Sequence, residues 1–187
     1  MQTNAIIIDN FYEDPMAIRD MALKQDFNVD GNYPGQRTKS FADSELKTYL
    51  GNIVKDTAGE VTSFDTDSYN GAFQYTTASM KSWVHYDKDA WAGVVYLTPN
   101  APLSAGTGFF QHKEHKVLTT PDNLLIKEQL DIEGQDITKW DLALTVGNVF
   151  NRLVLYRGNQ YHMSLDYFGN SLHTGRLFQT LFFDTEH

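Results

Sequence analysis

The amino-acid sequence predicts a mainly β domain of the α+β class, in which N-terminal helices buttress a β-sandwich or barrel. Two patterns lead to this expectation. Apolar side chains recur at helical spacing in the first third of the chain, and short aromatic and β-branched segments separated by turns follow from Val61 onward. Helices followed by a run of strands are typical of a fold whose helices cover one side of a sheet.

Two helices are expected near the N terminus. The first begins at Asp14-Pro15, because aspartate can cap a helix and proline suits its first turn, and it is expected to extend to about Asp26. The second has the clearest amphipathic pattern, with Asp43 as its cap and Gly59 at its end. The apolar side chains of that pattern are Leu46, Tyr49, Leu50, Ile53 and Val54.

Residues 1–187 are predicted to form one domain, with helical support at 1–60 and a β core at 61–187. Residues 28–39 contain glycine and proline and are expected to be a loop. Residues 113–140 are mostly polar and form a long excursion from the core, either a lid or a plain surface insertion. Strands are expected at 5–9, 72–77, 84–86, 91–98, 108–111, 149–156 and 177–183.

Composition excludes several classes of function. The formal net charge of −9 argues against binding to a nucleic-acid backbone. The sequence contains no cysteine, so disulfides, thiolate zinc sites, iron–sulfur clusters and a cysteine nucleophile are all excluded. The start of the chain lacks a basic segment followed by a long apolar one, and no apolar run approaches a membrane span. A cytoplasmic protein with no membrane partner is therefore expected, while the oligomeric state is not predicted.

The segment His85-Tyr86-Asp87 carries the strongest indication of chemistry. Side chains two residues apart on an extended strand point the same way, so the imidazole of His85 and the carboxylate of Asp87 can share one metal ion. They would supply two of the three ligands of a facial triad that suits non-haem Fe(II). Without a third ligand, the same three residues are more typical of a surface strand end with a solvated aspartate.

His162 is the best candidate for the third ligand, because it follows a predicted strand and a turn. His112 and His115 have a spacing found on zinc-binding helices, but the neighbouring glycines favour a loop or strand end there. The remaining histidines, His173 in a polar turn and His187 at the C terminus, are expected to be exposed.

Arg176 opens the last predicted strand, which is otherwise apolar. A guanidinium at the mouth of such a strand requires an anion, because it is always charged and binds a carboxylate through two N–H groups. The anion can be a bound ligand or one of the protein's own acidic side chains.

An H-x-D motif, a distal histidine and a later arginine together resemble the Fe(II)/2-oxoglutarate-dependent oxygenases, and most closely their prolyl-4-hydroxylase-like branch, including small members from phages and marine bacteria. The resemblance implies a double-stranded β-helix, or jelly-roll, core. It also implies that His85, Asp87 and His162 bind Fe(II) and that Arg176 binds the distal carboxylate of the cosubstrate 2-oxoglutarate.

Further positions extend this resemblance. Tyr75, ten residues before His85, resembles a tyrosine that binds the same carboxylate, and the segment 106–110 resembles the family's glycine-rich turn. An Arg-x-Ser pattern found in many members is absent, because Phe178 stands two residues after Arg176. Thr180 is the candidate that would supply a hydroxyl to the cosubstrate instead.

The activity implied by the resemblance is a dioxygenase that uses O₂ and 2-oxoglutarate to hydroxylate a small molecule or peptide, such as a peptidyl or free amino-acid side chain. An aspartate ligand at position 87 leaves no vacant halide site, which favours hydroxylation over halogenation. A binding or viral structural module with a β-sandwich fold is the alternative. A cupin-type metal site is not favoured, because the chain contains no H-x-H pair.

Aromatic residues flank the proposed metal site. Trp83, Tyr86 and Trp91 can either stack on a substrate or belong to the core, and core packing is the commoner role of aromatic residues near a sheet. The loop at 33–38 and the excursion at 113–140 can form a substrate entrance, but their sequences do not indicate a class of substrate.

Overall fold

A computed structural model describes residues 3–187, so Met1 and Gln2, where the predicted domain begins, lie outside the described residues. The strands are β1 (Ala5–Ile8), β2 (Gln36–Arg37), β3 (Val61–Ser63), β4 (Phe73–Thr76), β5 (Trp91–Tyr96), β6 (Thr107–His112), β7 (Trp140–Val146), β8 (Leu153–Arg157), β9 (His162–Ser164) and β10 (Arg176–Thr185). The helices are α1 (Pro15–Ala22), α2 (Ser44–Ala58) and α3 (Leu124–Glu133), and a short 3-10 turn covers Ile137–Lys139.

The strands form two antiparallel sheets. In the larger sheet the strand order is β1-β8-β5-β10-β4-β2, and β3 pairs with the end of β10. The smaller sheet has the order β7-β6-β9. Both sheets consist of antiparallel neighbours, which need no crossover helices and leave each sheet free to bury one or both faces against other layers.

Four layers result from the packing of these elements. The outer face of the large sheet packs against α1 and α2, and this cluster includes Leu50, Trp91 and Phe183. The inner faces of the two sheets meet around Phe109 and Phe178. The outer face of the small sheet packs against α3 in a third cluster, formed by Val84, Phe110, Leu130, Trp140 and Tyr161.

Alternation along β10 assigns its side chains to two different layers. Leu177, Leu181 and Phe183 belong to the cluster under the helices. Phe178 belongs to the cluster between the sheets, and Thr180 shares its side of the strand because strand side chains repeat with period two. The register fixes the same face on neighbouring strands, since Phe178 pairs with Gln74 on one side and Tyr96 on the other.

Helix α2 forms where its apolar pattern predicts it. The Asp43 side chain accepts a hydrogen bond from the backbone N–H of Leu46, and Gly59 ends the helix at a φ of 77°. Its buried side chains, Leu50, Val54 and Ala58, form one stripe against the large sheet.

Truncation of this stripe is expected to destabilise the whole fold. Leu50 is fully buried, so Leu50→Ala is expected to lower the free energy of unfolding by about 2–5 kcal/mol, through lost burial and the cavity left behind. Urea denaturation followed by circular dichroism measures this change. Lys47→Ala, on the exposed side of the same helix, is the control and is expected to change stability by less than about 0.5 kcal/mol. Equal effects of the two substitutions would contradict the packing of α2.

The structure differs from the sequence expectations in several elements. Helix α1 ends at Ala22 rather than near Asp26, and the expected loop at 28–39 contains the short strand β2. Residues 84–86 do not form a regular strand, because only His85 makes a bridge there. Strand β7 was not expected, and its side chains from Asp141 to Thr145, which include two leucines, are exposed.

The excursion at 113–140 is neither wholly polar nor a simple loop. It contains α3, whose Leu130 is fully buried against the small sheet. Gly134 at the end of α3 approaches the backbone of Val84 so closely that a Cβ there would lie 2.2 Å from the Val84 carbonyl oxygen. None of the helices among residues 3–187 combines the length and apolar character that a membrane span requires.

Candidate active site

His85 and His162 lie directly opposite each other on an isolated antiparallel bridge. The backbone N–H of His85 donates to the carbonyl of His162 at 2.9 Å, and the reverse hydrogen bond measures 2.8 Å. Directly opposed residues on antiparallel strands project to the same side. The two imidazole rings therefore meet, with their centroids 4.4 Å apart.

Asp87 completes a three-residue group with these histidines. Its backbone N–H donates to the carbonyl of Gly158 at 2.7 Å, which continues the pairing begun at His85. Its Oδ2 lies 3.2 Å from Nε2 of His162. One ligand atom from each of the three residues lies within 4.8 Å of the others, and residues 3–187 contain no other such group of three. We call His85, Asp87 and His162 the triad.

Backbone carbonyls determine which ring nitrogen of each histidine can bind a metal. Nδ1 of His85 lies 3.0 Å from the carbonyl oxygen of Trp83, and Nδ1 of His162 lies 2.9 Å from that of Gln160. A carbonyl oxygen only accepts, so each Nδ1 carries the hydrogen and donates. The two Nε2 atoms are therefore the ones that can offer lone pairs to a cation, as in other histidine metal sites.

Burial prepares the triad for a cation. Desolvation, together with the neighbouring His162, lowers the pKa of His85 to about 4, so its imidazole is neutral at neutral pH. Burial alone would raise the pKa of Asp87. The contact with His162 and the charge of Arg37 outweigh burial, so the net pKa of Asp87 lies below the usual value. The set thus presents a neutral imidazole beside an ionised carboxylate.

The triad lines a cavity of about 530 Å³ that extends between the two sheets. Inward-facing residues of both sheets form its interior part, namely Gln74, Val94, Thr107, Tyr156, Phe178 and Thr180. Loop and edge residues form the remainder, among them Tyr33, Arg37, Tyr69, Trp83, Tyr86 and Tyr167. A concave space that combines aromatic walls with a few polar groups is the usual form of a small-molecule site.

Arg176 is fully buried on the same face of β10 as Phe178 and Thr180. Its Nε donates to the carbonyl of Ala105 at 3.0 Å, and its guanidinium lies 4.4 Å from the ring of Phe178. Its Nη1 has no hydrogen-bond partner among the described residues. No carboxylate of those residues lies within ion-pair distance, so the expected alternative of a structural salt bridge is not realised.

The structure does not bring Tyr75 to the cavity. Tyr75 pairs with Leu177 and Gln36, so its side chain lies on the helix-facing side of the large sheet, where its hydroxyl donates to Gln36 Oε1 at 2.6 Å. The expected contact with 2-oxoglutarate would need the opposite face, which Gln74 and Thr76 occupy instead. Thr180 does line the cavity, although its hydroxyl donates to the carbonyls of Tyr69 and Ala72.

Tyrosines that the sequence reasoning did not single out stand inside the cavity or beside it. The ring of Tyr156 lies 4.6 Å from that of His162, and burial raises the pKa of its phenol well above the usual value, so the hydroxyl stays protonated. Tyr96 shares a hydrogen bond of 2.7 Å with Thr107. Both tyrosines lie on predicted strands, Tyr96 on β5 and Tyr156 on β8. The sequence does not reveal which face of these strands points into the cavity.

Arg37 was also missed as a site residue, because it lies in a segment that was expected to be a loop. It pairs with Gln74 in the β2–β4 register and is 6% exposed. Its Nε donates to Gln74 Oε1 at 2.8 Å, and its guanidinium carbon lies 3.7 Å from the centre of the Tyr33 ring. Burial lowers the pKa of Arg37 to about 10, so the side chain is still a cation at neutral pH.

Other residues considered from the sequence have structural roles. His112 is buried and its Nε2 lies 2.7 Å from a carboxylate oxygen of Glu133, while the ring of His115 stacks on that of His112. Trp91 is fully buried and stacks on Phe183 in the cluster under the helices, so it does not flank the cavity. Trp83 and Tyr86 do line it.

Comparison of the sequence with family models decides the membership of the chain. A single model, described as a family of unknown function and designated DUF6445, matches residues 1–183. The chain belongs to DUF6445. No curated protein sequence matches this DUF6445 chain.

Solved structures resemble the DUF6445 chain over almost its whole length. HygX from Streptomyces hygroscopicus, in a crystal structure with nickel, 2-oxoglutarate and hygromycin B bound, is 14% identical with a TM-score of 0.61, covering 96% of this chain and 82% of HygX. A Pseudomonas putida prolyl-4-hydroxylase is 11% identical with a TM-score of 0.52, covering 96% and 91%. A Trichoplax adhaerens prolyl hydroxylase in complex with a peptide fragment of hypoxia inducible factor is 15% identical with a TM-score of 0.50, covering 97% and 84%.

At the level of the fold, these structural similarities confirm the resemblance to the Fe(II)/2-oxoglutarate-dependent oxygenases that the sequence motifs indicated. The DUF6445 chain has the fold of the Fe(II)/2-oxoglutarate oxygenases, mainly β with antiparallel sheets and three helices in the described residues, as expected of a jelly-roll core.

Proposed function

We propose that this protein is a non-haem Fe(II) dioxygenase that couples oxidative decarboxylation of 2-oxoglutarate to hydroxylation of a second substrate, on a double-stranded β-helix formed by its two sheets. The observation that carries the proposal is the opposed pair His85 and His162 with Asp87 beside them, all three lining one cavity. The experiment that tests it is an anaerobic titration with Fe(II) and 2-oxoglutarate.

The triad fits Fe(II) by the chemistry of its donors. Two imidazole nitrogens and one carboxylate on one side of an ion are the ligand set of non-haem Fe(II) oxygenases and leave positions for other ligands. The carbonyls of Trp83 and Gln160 hold each Nδ1–H, which leaves each Nε2 as the ligand atom. His85, Asp87 and His162 would hold the ion through these atoms.

Arg176 supports the cosubstrate part of the proposal. A fully buried guanidinium without a carboxylate partner is costly, because its charge has been removed from water with no anion beside it. Its unpaired Nη1 is able to donate to the distal carboxylate of 2-oxoglutarate. Thr180 is kept as a further candidate contact with the cosubstrate, whereas Tyr75 is not, because it lies on the other face of the sheet.

When bound, iron with 2-oxoglutarate and O₂ would supply the oxidising chemistry, with succinate and CO₂ as products of the cosubstrate. The chain's own residues orient these groups and limit access of water. Phe178 and Val94 form apolar walls of the cavity. Tyr156, which stays protonated, is a hydrogen-bond donor beside His162. Asp87 occupies the carboxylate position of the triad, so that position is not vacant for a halide ion. This favours hydroxylation over halogenation.

The substrate is proposed to be a small molecule or a peptide, with a peptidyl or free amino-acid side chain as the site of oxidation. The bound hygromycin B in the HygX structure and the peptide in the Trichoplax adhaerens complex support this range without selecting within it. The net charge of −9 disfavours a nucleic-acid backbone as partner. The cytoplasmic location and the kinship to small phage and marine bacterial enzymes stay predictions.

Anaerobic titration of metal-free protein with Fe(II), and then with 2-oxoglutarate, tests the proposal. We expect one equivalent of Fe(II) to bind and a weak metal-to-ligand charge-transfer band to appear in the visible spectrum when 2-oxoglutarate is added. Succinate release on admission of O₂ would then serve as the assay for substrates. A folded protein that holds no stoichiometric iron and gives no band would instead support the alternative, a β-sandwich binding or viral structural module.

A further inference from the structure

Arg37 is a cation inside the cavity that neither the proposed iron site nor the proposed cosubstrate contact uses. It lies on β2 at the edge of the large sheet and lines the same cavity as the triad. The side chains of the triad line that cavity as well. A ligand held by Arg37 would therefore share the cavity with the triad.

Hydrogen bonds and ring contacts hold the guanidinium of Arg37 in one orientation. Nε and Nη2 both donate to the same atom, Oε1 of Gln74. The amide of Gln74 is fixed in turn, because its Nε2 donates to the carbonyl of Pro34 at 2.6 Å. The rings of Tyr33 and Tyr69 lie 3.7 and 4.8 Å from the guanidinium carbon, at cation–π distance. Such a preorganised cation binds an anion with little further loss of entropy.

The charge of Arg37 is not neutralised within the described chain. No carboxylate of residues 3–187 lies within ion-pair distance of Arg37. The Nη1 atom of Arg37 makes no hydrogen bond with the described residues, and it is accessible to solvent. Two other arginines have more partners within the protein. Arg19 has no carboxylate partner either, but it donates to the carbonyls of Leu97 and His173 from two nitrogens. Arg152, nearer the surface, makes a two-point ion pair with Asp9. Arg176 resembles Arg37 in its unpaired Nη1, but that atom is sealed from solvent.

We infer that Arg37 is the anchor for a carboxylate group of the substrate, and thus that the hydroxylated compound is a carboxylic acid. This inference rests on the proposed function, because it takes the triad as the reacting centre. A carboxylate accepts from the open Nη1 side of the fork, where charge-assisted hydrogen bonds are strongest in a desolvated site. Tyr33 and Tyr69 form the walls beside this anchor.

The nearest competing occupant is the cosubstrate, since 2-oxoglutarate also carries carboxylates. Arg176 and Arg37 are separate candidates for it, because Arg176 is sealed between Phe178 and the carbonyl of Ala105, whereas Arg37 lies at the open edge formed by β2. We therefore place 2-oxoglutarate at Arg176 and the substrate's carboxylate at Arg37. An experiment must therefore observe the two arginines separately.

Nuclear magnetic resonance of the arginine side chains makes this distinction. The sequence contains five arginines, so their Nε–H signals can be assigned by substitution of each in turn. The protein is loaded with Zn(II), a diamagnetic replacement for Fe(II), and saturated with 2-oxoglutarate, and then titrated with acetate or with acetamide. Acetate and acetamide have nearly the same shape and differ in charge, so they isolate the contribution of the carboxylate.

We expect 2-oxoglutarate to shift the Arg176 signal, and acetate, but not acetamide, then to shift the Arg37 signal in a saturable manner. Arg152→Gln, which alters a surface ion pair with Asp9, is the matched control and should leave the acetate titration unchanged. An Arg37 signal that acetate does not move, or moves no more than acetamide does, would overturn the inference. So would an Arg37 signal that responds to 2-oxoglutarate and then no longer responds to acetate.

Substitution of Arg37 gives a second readout with the Fe(II) protein. Arg37→Gln is expected to weaken binding of carboxylate ligands at least tenfold, on the order of the loss of one charge-assisted contact, without changing the 2-oxoglutarate titration of the visible band. Arg37→Lys keeps the charge and should retain part of the affinity. Free amino acids and peptides with a free C terminus, added as competitors of acetate, distinguish a small acid from a peptide end. If acetate binds at Arg37 but no visible band forms, the proposed reaction fails while the carboxylate site stands.

Discussion

Asp87→Ala is expected to abolish iron-dependent turnover and to weaken Fe(II) binding by more than about 100-fold, beyond the loss usual for groups that only support a metal ligand. The substitution removes the one anionic ligand of the triad and leaves His85 and His162 to hold the ion. Anaerobic equilibrium binding of Fe(II) and succinate release in the presence of 2-oxoglutarate measure the two effects.

A matched control for this substitution lies two residues further along the chain. Asp89→Ala removes a carboxylate from the same segment, but Asp89 does not belong to the triad, so iron stoichiometry should stay at one. Equal loss of iron in both variants would indicate that the segment, not the ligand, had been damaged. Undiminished turnover by Asp87→Ala would refute the assignment of that residue as a ligand.

Substitution of Arg176 is expected to have the second largest effect, on the cosubstrate. Removing one partner of a buried charge pair typically costs about 2 kcal/mol or more, so Arg176→Gln should raise the 2-oxoglutarate concentration at half-saturation at least about 30-fold. The titration of the visible band at fixed Fe(II) measures it. Iron binding itself should be nearly unchanged, because Arg176 does not belong to the triad.

Arg176 is fully buried, so its replacement is also a risk to the fold. Arg176→Lys keeps a cation at this buried position and serves as the conservative variant. We expect it to have an intermediate requirement for 2-oxoglutarate, because lysine lacks the two-point fork. Thermal unfolding of each variant separates loss of binding from loss of structure. A folded Arg176→Gln protein with the wild-type 2-oxoglutarate titration would contradict the assignment.

Local patterns in the sequence were sufficient to predict the elements that depend on residues close together in the chain. Helix α2 begins and ends where Asp43 and Gly59 indicate, because capping and helical periodicity act within a few residues. His85 and Asp87 share a side of the chain for a similarly local reason, the period of two in extended backbone. His162 was singled out by the predicted strand and turn before it, and the family resemblance implied that it joins His85 and Asp87.

Features that depend on pairing between distant segments could not be predicted. The period of two places Tyr75 on one face and Gln74 and Thr76 on the other, but only the register with β10 decides which face meets the cavity. Arg37 was missed for the same reason, since β2 has only two residues and is defined by its pairing with β4 and by a bridge to Val29. Strand β7 was missed although its sequence alternates, with Trp140, Leu142, Leu144 and Val146 at every second position, and of these only Trp140 and Val146 are buried.

The reciprocal hydrogen bonds between His85 and His162 connect two parts of the chain that are far apart in sequence. An unfolded chain does not hold these residues together, so an ion that binds both of them binds the native state alone. The ion then acts as a cross-link that stabilises the folded state. This stabilisation increases with the logarithm of the free ion concentration. In a cell, the supply of iron would set the lifetime of this protein as well as its activity.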